Sequence, residues 1–163
     1  MSASPIIRTA IADDVEQVAA IYAHYVANSV ATFDEEPPPL ATWRQRVECL
    51  PFLVAEADGG VAGYAYAAPW RQKPAYRHTA EDSVYLAPGH QGRGTGTALL
   101  TELLASAAHG GVRQMIAVIA DTGSDASVRL HRKLGFTEAG RLRDVGYKHG
   151  RWIDTVLMQR NLT

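Results

Sequence analysis

The chain has 163 residues and a single cysteine, Cys49, so no intrachain disulfide can form. No apolar run approaches the about 18 residues of a membrane-spanning helix. Residues 1–10 lack the basic start and apolar centre of a secretory signal, so a cytoplasmic protein is expected. Charge of one sign is also missing. With 16 Lys and Arg against 17 Asp and Glu, the formal net charge is −1, which argues against a nucleic-acid partner, and the 47% hydrophobic content argues against disorder. The six histidines are scattered without HxxxH, HExxH or Cys/His spacing, so no metal is expected. The G-x-S-x-G of a hydrolase nucleophile elbow is absent. Repeats, low-complexity tracts and linkers are lacking too, which leaves one domain over residues 1–163.

Glycine is concentrated in one place. The stretch Glu81 to Leu104, EDSVYLAPGHQGRGTGTALLTELL, opens with an apolar strand, Ser83 to Leu86, stopped by Pro88 and Gly89. Gly89, Gly92, Gly94 and Gly96 fall within eight positions, and Ala98, Leu99, Leu100, Leu103 and Leu104 follow at helical spacing. Strand, glycine loop and helix in that order make an anion site. Residues without Cβ let successive N–H groups approach a ligand, and the helix start adds unpaired donors and the positive end of its dipole. Phosphate or pyrophosphate fits best. No Lys follows these glycines as a nucleotide-triphosphatase loop requires. The dinucleotide fingerprint fails at Thr97 when read from Gly92 and at Leu99 when read from Gly94.

In chain order, Ile6 to Ile11 reads as a strand, and Asp13 or Asp14 as the cap of a helix carrying Val15, Val18, Ala19, Tyr22, Tyr25 and Val26 on one face. Asn28 to Pro39 is an acidic, proline-terminated connection in which Phe33 is either a core anchor or part of a ligand wall. Leu40, Trp43, Val47 and Leu50 mark a second helix, and Asp58-Gly59-Gly60 joins two antiparallel strands. The segment Trp70 to Arg77 packs three cations and two aromatics into eight residues. That composition suits either a solvated loop or a small acidic ligand. Met115 to Ala120 reads as a buried strand, Ser124 as the cap of a helix ending at Gly135, and Phe136 to Val145 with Trp152 to Gln159 as a closing hairpin around Lys148-His149-Gly150. The class is α/β with a mixed sheet.

The run Gln91-Gly92-Arg93-Gly94-Thr95-Gly96 fits Q/R-x-x-G-x-G/A, and here the chain resembles the GNAT superfamily of N-acetyltransferases, which use this loop for the pyrophosphate of acetyl-coenzyme A. Four further strings, YAHYVANSVATF, PWRQKPAYRHTAEDSVYL, SVRLHRKLGF and VGYKHGRWIDTVLMQ, resemble the phosphinothricin and methionine sulfoximine acetyltransferase group. The resemblance implies the GNAT fold: a central, twisted, mixed, mostly antiparallel sheet flanked by helices, with a strand pair splayed at the acetyl-coenzyme A site. It also implies acetyl transfer to the α-amino group of a small amino-acid analogue, and a homodimer with the two sites near the interface. The backbone of Val84, Tyr85 and Leu86, the loop Gln91, Gly92, Arg93, Gly94, Thr95, Gly96 and Thr97, and the hydroxyls of Ser124 and Ser127 are then the expected acetyl-coenzyme A contacts. Ser124 stands where related sequences commonly carry Asn.

Transfer to an amine needs a neutral nucleophile, a polarised carbonyl and a proton for the leaving thiolate. Glu81, at its matching place in the family motif, is the expected base, with burial raising its pKa. Asp82 is expected to point to the opposite face of the strand. His131 is either the donor to the thiolate or a hydrogen-bonded helix residue. Arg71 is the first choice to hold the acceptor's carboxylate, with Lys73 nearby and Phe33 and Tyr76 as walls. The alternative function is a coenzyme-A-binding sensor without turnover.

Overall fold

Side chains alternate across the second and third strands, and this divides the interior into two cores, one on each face of a single sheet. The computed structural model describes residues 4–163. Its seven strands are β1 (Ile6–Thr9), β2 (Phe52–Ala57), β3 (Gly60–Pro69), β4 (Thr79–Leu86), β5 (Gln114–Ala120), β6 (Thr137–Lys148) and β7 (Arg151–Asn161), in the spatial order β1-β2-β3-β4-β5-β7-β6. Every neighbouring pair is antiparallel except β4–β5, which is parallel. Ala55, Ala65 and Ala67 turn towards helix α3 (Thr95–His109), which buries Leu99, Leu100, Leu103 and Leu104 against them. Phe52, Val54 and Tyr64 turn the other way, to α1 (Val15–Asn28) and α2 (Leu40–Cys49). There Trp43 is wholly buried, with Tyr22, Phe52 and Tyr64 edge-on around it. Burying side chains of this size contributes about 1.5–3 kcal/mol each.

Local chemistry explains the ends of the elements. Asp58 (φ 53°) and Gly59 (φ 79°), like His149 (φ 50°) and Gly150 (φ 74°), form two-residue turns with both central residues left-handed, as the D-G and H-G dipeptides lead one to expect. The first strand is shorter than its sequence suggests, because Ala12–Asp14 coil into a 3-10 turn. Asp14 does not cap α1 with its side chain. Its carboxylate instead accepts the Ile11 N–H at 2.8 Å and the Arg8 guanidinium at 2.8 and 2.9 Å. Arg8 thereby draws the Asp14 pKa below the ordinary carboxylate range, against the effect of burial.

The sheet is split at its centre. β4 and β5 pair only at Thr79↔Gln114, Ala80↔Met115 and Glu81↔Ile116. Beyond Glu81, β4 stays with β3 as far as Leu86↔Gly63, while β5 stays with β7 as far as Ala120↔Thr155. The expected splayed pair is thus present, with α3 connecting its two strands and α4 (Ala126–Lys133) following β5. No helix among the described residues is long and apolar enough to cross a membrane.

Candidate active site

The opening between β4 and β5 is a cleft of about 500 Å³. One wall is β4 from Glu81 to Leu86, the other is Val118, Ile119 and Ala120 of β5, and Ser127, Leu130 and His131 of α4 close one side. With no partner strand past Glu81, the β5-facing edge of β4 has backbone groups free to pair with something placed in the cleft.

The glycine loop closes one end. Gly89, Gly92 and Gly94 all have left-handed backbones, at φ 86°, 75° and 80°, and Gly94 occupies the cap position of α3. A residue with Cβ is disfavoured at such angles, which is why this path to a helix N-terminus is built from glycine. Gly92, Gly94, Thr95, Gly96 and Thr97 line the cleft. Gln91 does so too, and its side chain also braces the loop: Oε1 accepts the Gly89 N–H at 3.0 Å, and Nε2 donates to the Tyr25 hydroxyl at 3.3 Å. Tyr25 in turn donates to the Leu86 carbonyl at 2.5 Å. Sequence periodicity places Tyr25 in the core stripe of α1, and nothing in that pattern signals its second role at the cleft.

At the point of the split, Glu81 and Asp82 both line the cleft, from opposite faces of β4. The Glu81 pKa is raised by burial first and by the like charge of Asp82 second, with Arg71 pulling against them. Asp82 is 6% exposed and His131 3% exposed. The His131 Nε2 lies 3.0 and 3.2 Å from the two Asp82 oxygens, and its Nδ1 lies 2.7 Å from the Ser127 carbonyl. Burial opposes the imidazolium, yet the Asp82 hydrogen bond and charge, with the Ser127 carbonyl, outweigh it, and the His131 pKa is raised. Asp82 does point away from Glu81, as the strand period requires. That period gives no warning that, past the end of the ladder, the opposite face also opens on the cleft.

The remaining expected residues are less gathered. Ser124 and Ser127 line the cleft. The helix cap, however, falls on Asp125 rather than Ser124, whose Oγ accepts the Ala126 N–H at 3.3 Å. Arg93 does not line the cleft and borders a small depression with His90 and Asp58. Arg71 lies with its guanidinium 4.9 Å from the centre of the Trp70 ring, close enough to Glu81 to influence its charge. Lys73 and Tyr76 are exposed at a 3-10 turn, Pro74–Tyr76. Phe33 is 41% exposed and enters neither core: its ring lies on Gly146 of β6, where a Cβ would come within 2.5 Å of it. Lys148 holds the same segment by donating to the Thr32 carbonyl at 2.9 Å, and Ala31 reaches the cleft wall.

The profile of the Acetyltransferase (GNAT) family matches residues 18–136. A phosphinothricin N-acetyltransferase of Alcaligenes faecalis is 50% identical over 92% of this chain and 79% of its own length. An L-methionine sulfoximine/L-methionine sulfone acetyltransferase of Pseudomonas aeruginosa is 42% identical over 99% and 96%. Among solved structures, a phosphinothricin acetyltransferase from Sinorhizobium meliloti in complex with acetyl-coenzyme A superposes with a TM-score of 0.92 at 43% identity, covering 98% of this chain and 89% of that one. With a family profile matching most of the chain and relatives this similar along nearly its whole length, the chain belongs to the GNAT acetyltransferase family.

Proposed function

We propose that this protein moves the acetyl group of acetyl-coenzyme A to the α-amino group of a small amino-acid analogue of the phosphinothricin, methionine sulfoximine or methionine sulfone kind, by direct attack with both substrates bound. The observation that carries the proposal is Glu81, half-buried at the last rung of the β4–β5 ladder with its pKa raised, beside a strand edge with no partner. The cleft suits acetyl-coenzyme A. Its glycine loop and the start of α3 offer N–H groups to a pyrophosphate, and the free edge of β4 at Val84, Tyr85 and Leu86 offers N–H and C=O groups to an amide-bearing arm and to a thioester carbonyl. Ser124 and Ser127 add hydroxyls on the other side. Acetyl-coenzyme A supplies the acetyl group as an activated thioester. Glu81 takes the proton of the acceptor amine, directly or through water, as the nitrogen bonds to the acetyl carbon; the C–S bond then breaks, and coenzyme A leaves as a thiolate that solvent protonates.

An α-amino acid also carries a carboxylate, which Glu81 repels. Arg71 resolves this by holding that group with its planar fork while Trp70 limits its freedom. Lys73 and Tyr76 add charge and a wall from the same segment, and Phe33 adds a second wall. Arg71→Ala is expected to raise KM for methionine sulfoximine at least about tenfold, the loss of one charge-assisted contact, and to change little for a matching amine without a carboxylate. Equal losses for both acceptors contradict the assignment. The same variant shifts the pH profile. Arg71 holds the Glu81 pKa down, and the base works only when deprotonated, so activity is lost as pH falls through that pKa. Removing Arg71 therefore moves the acid limb of kcat/KM to higher pH.

The protein acts as a cytoplasmic homodimer. On the β6–β7 hairpin, Val145, Tyr147 and Trp152 are 54%, 57% and 66% exposed, and the last two rings lie 4.8 Å apart. An aromatic patch of this kind supports an interface with a second copy, on the hairpin that also carries Gly146 beneath Phe33.

A further inference from the structure

Glu81↔Ile116 is the last rung between β4 and β5. The next residue, Asp82, is the first on β4 whose spacing from the opposite wall is no longer set by a ladder. Its carboxylate meets His131 of α4, the helix closing that side of the cleft. The His131 hydrogens can be counted. A carbonyl oxygen only accepts, so the Nδ1 that lies 2.7 Å from the Ser127 carbonyl carries a proton. The Nε2, 3.0 and 3.2 Å from the two oxygens of Asp82, shares its own with that carboxylate. Both nitrogens are therefore committed to protein acceptors. The ring is 3% exposed and packed edge-on against Phe136 at 4.8 Å. No N–H is left to aim at the cleft, and no lone pair is left to receive a proton from it.

We propose that Asp82 and His131 form a buried ionic strut that takes over where the β4–β5 ladder stops, fixing α4 against β4 across the split; His131 is then a positioning residue for the coenzyme A cleft and not the acid that protonates the leaving thiolate. The role of the cleft rests on the function proposed above, whereas the strut rests on the side-chain geometry alone. Removing either partner leaves the other buried and unpaired, and α4, with its wall residues Ser127 and Leu130, is released from β4. A general acid and a strut fail differently: loss of an acid slows the chemical step and spares cofactor binding, while loss of a strut loosens the site that binds cofactor.

Nitrogen-15 NMR of the histidine-labelled wild-type protein, with His131 assigned from its missing signals in His131→Asn, gives the first readout. Both ring nitrogens should keep their protons as pH rises past the ordinary histidine pKa of about 6.5. A ring that loses one of these protons below that ordinary value overturns the strut. Calorimetry with coenzyme A gives the second. Asp82→Asn and His131→Asn should each weaken binding at least about tenfold, with the double variant no worse than the weaker-binding single one, and the alkaline limb of the kcat profile should survive in His131→Asn. Unchanged coenzyme A affinity with kcat reduced and that limb lost makes His131 the acid and overturns the proposal. Should His131→Asn not fold, replacing each of the other five histidines, none of them buried, assigns His131 by elimination, and the wild-type spectrum still decides. Wild-type protein that shows the doubly protonated ring and binds coenzyme A but does not turn over separates failure of the proposed function from failure of the strut.

Discussion

Turnover falls at least about 10²-fold in Glu81→Gln at neutral pH, within the range of general-base effects, while affinity for acetyl-coenzyme A changes little. Gln has nearly the shape of Glu and can still hydrogen-bond, but it cannot take a proton, so the variant removes the base and leaves the cleft intact. The acceptor enters water-equilibrated as an ammonium and must be deprotonated before its nitrogen can attack. An ordinary carboxylate, with a pKa of about 4.3, is a poor partner for that proton. Burial at the end of the ladder, helped by the charge of Asp82, moves Glu81 towards the useful range. The acid limb of kcat/KM therefore lies above the ordinary carboxylate range in the wild type, with activity lost as pH falls through it, and this limb disappears in Glu81→Gln. Steady-state kinetics across pH check both parts. Near-normal turnover with the limb in place removes Glu81 from the reaction.

The second large effect is on cofactor binding, in Gly94→Val. Gly94 sits at the cap of α3 at φ 80° and ψ 2°, a conformation that costs a β-branched residue roughly 1–2 kcal/mol. A Cβ there meets no atom within 4 Å, so crowding is not the cause of the expected defect. The backbone moves to escape the strain, and the loop N–H groups lose their common aim. If two charge-assisted hydrogen bonds to phosphate are lost, at about 1.5 kcal/mol each, affinity for acetyl-coenzyme A falls on the order of 10²-fold. Gly96→Val acts differently. Gly96 lies within α3 on the cleft wall, with Leu130 Cδ2 3.4 Å from the place of its Cβ, so added methyl groups take up space in the cleft. Calorimetry on the folded variants separates these losses from stability. Unchanged affinity in Gly94→Val contradicts phosphate binding by the loop.

What was legible in the chain was mostly local. The glycine spacing, the D-G turn and the apolar run of β5 signal their structures because the cause lies within a few residues. The splayed pair came from resemblance, since no strand period says where a ladder stops. That gap also hid Asp82. Alternation assigned it correctly to the face opposite Glu81, but only the break after Glu81↔Ile116 opens that face to the cleft. Tyr25 reads as one more member of a core stripe until its hydroxyl is seen between Leu86 and Gln91. Sequence leaves Phe33 as either a core anchor or a ligand wall, because what it rests on, Gly146, belongs to a hairpin at the far end of the chain. Sequence offers Ser124 as one helix cap and Asp13 or Asp14 as another. Asp125 takes the first position, while Asp14 does stand at the second but turns its carboxylate to Arg8 and the Ile11 N–H.

The central claim is catalytic transfer to a small amino-acid analogue, and thiol release from acetyl-coenzyme A tests it most directly. Wild-type protein is incubated with acetyl-coenzyme A and a panel containing phosphinothricin, methionine sulfoximine, methionine sulfone, common amino acids and amines without a carboxylate, and free thiol and N-acetyl product are followed together. The expected result is release that depends on the acceptor, matches product mole for mole, is fastest with the amino-acid analogues and is nearly abolished in Glu81→Gln. Tight binding of acetyl-coenzyme A with no acceptor-dependent release from any member of the panel contradicts an enzyme of this class, and identifies a coenzyme-A-binding sensor instead.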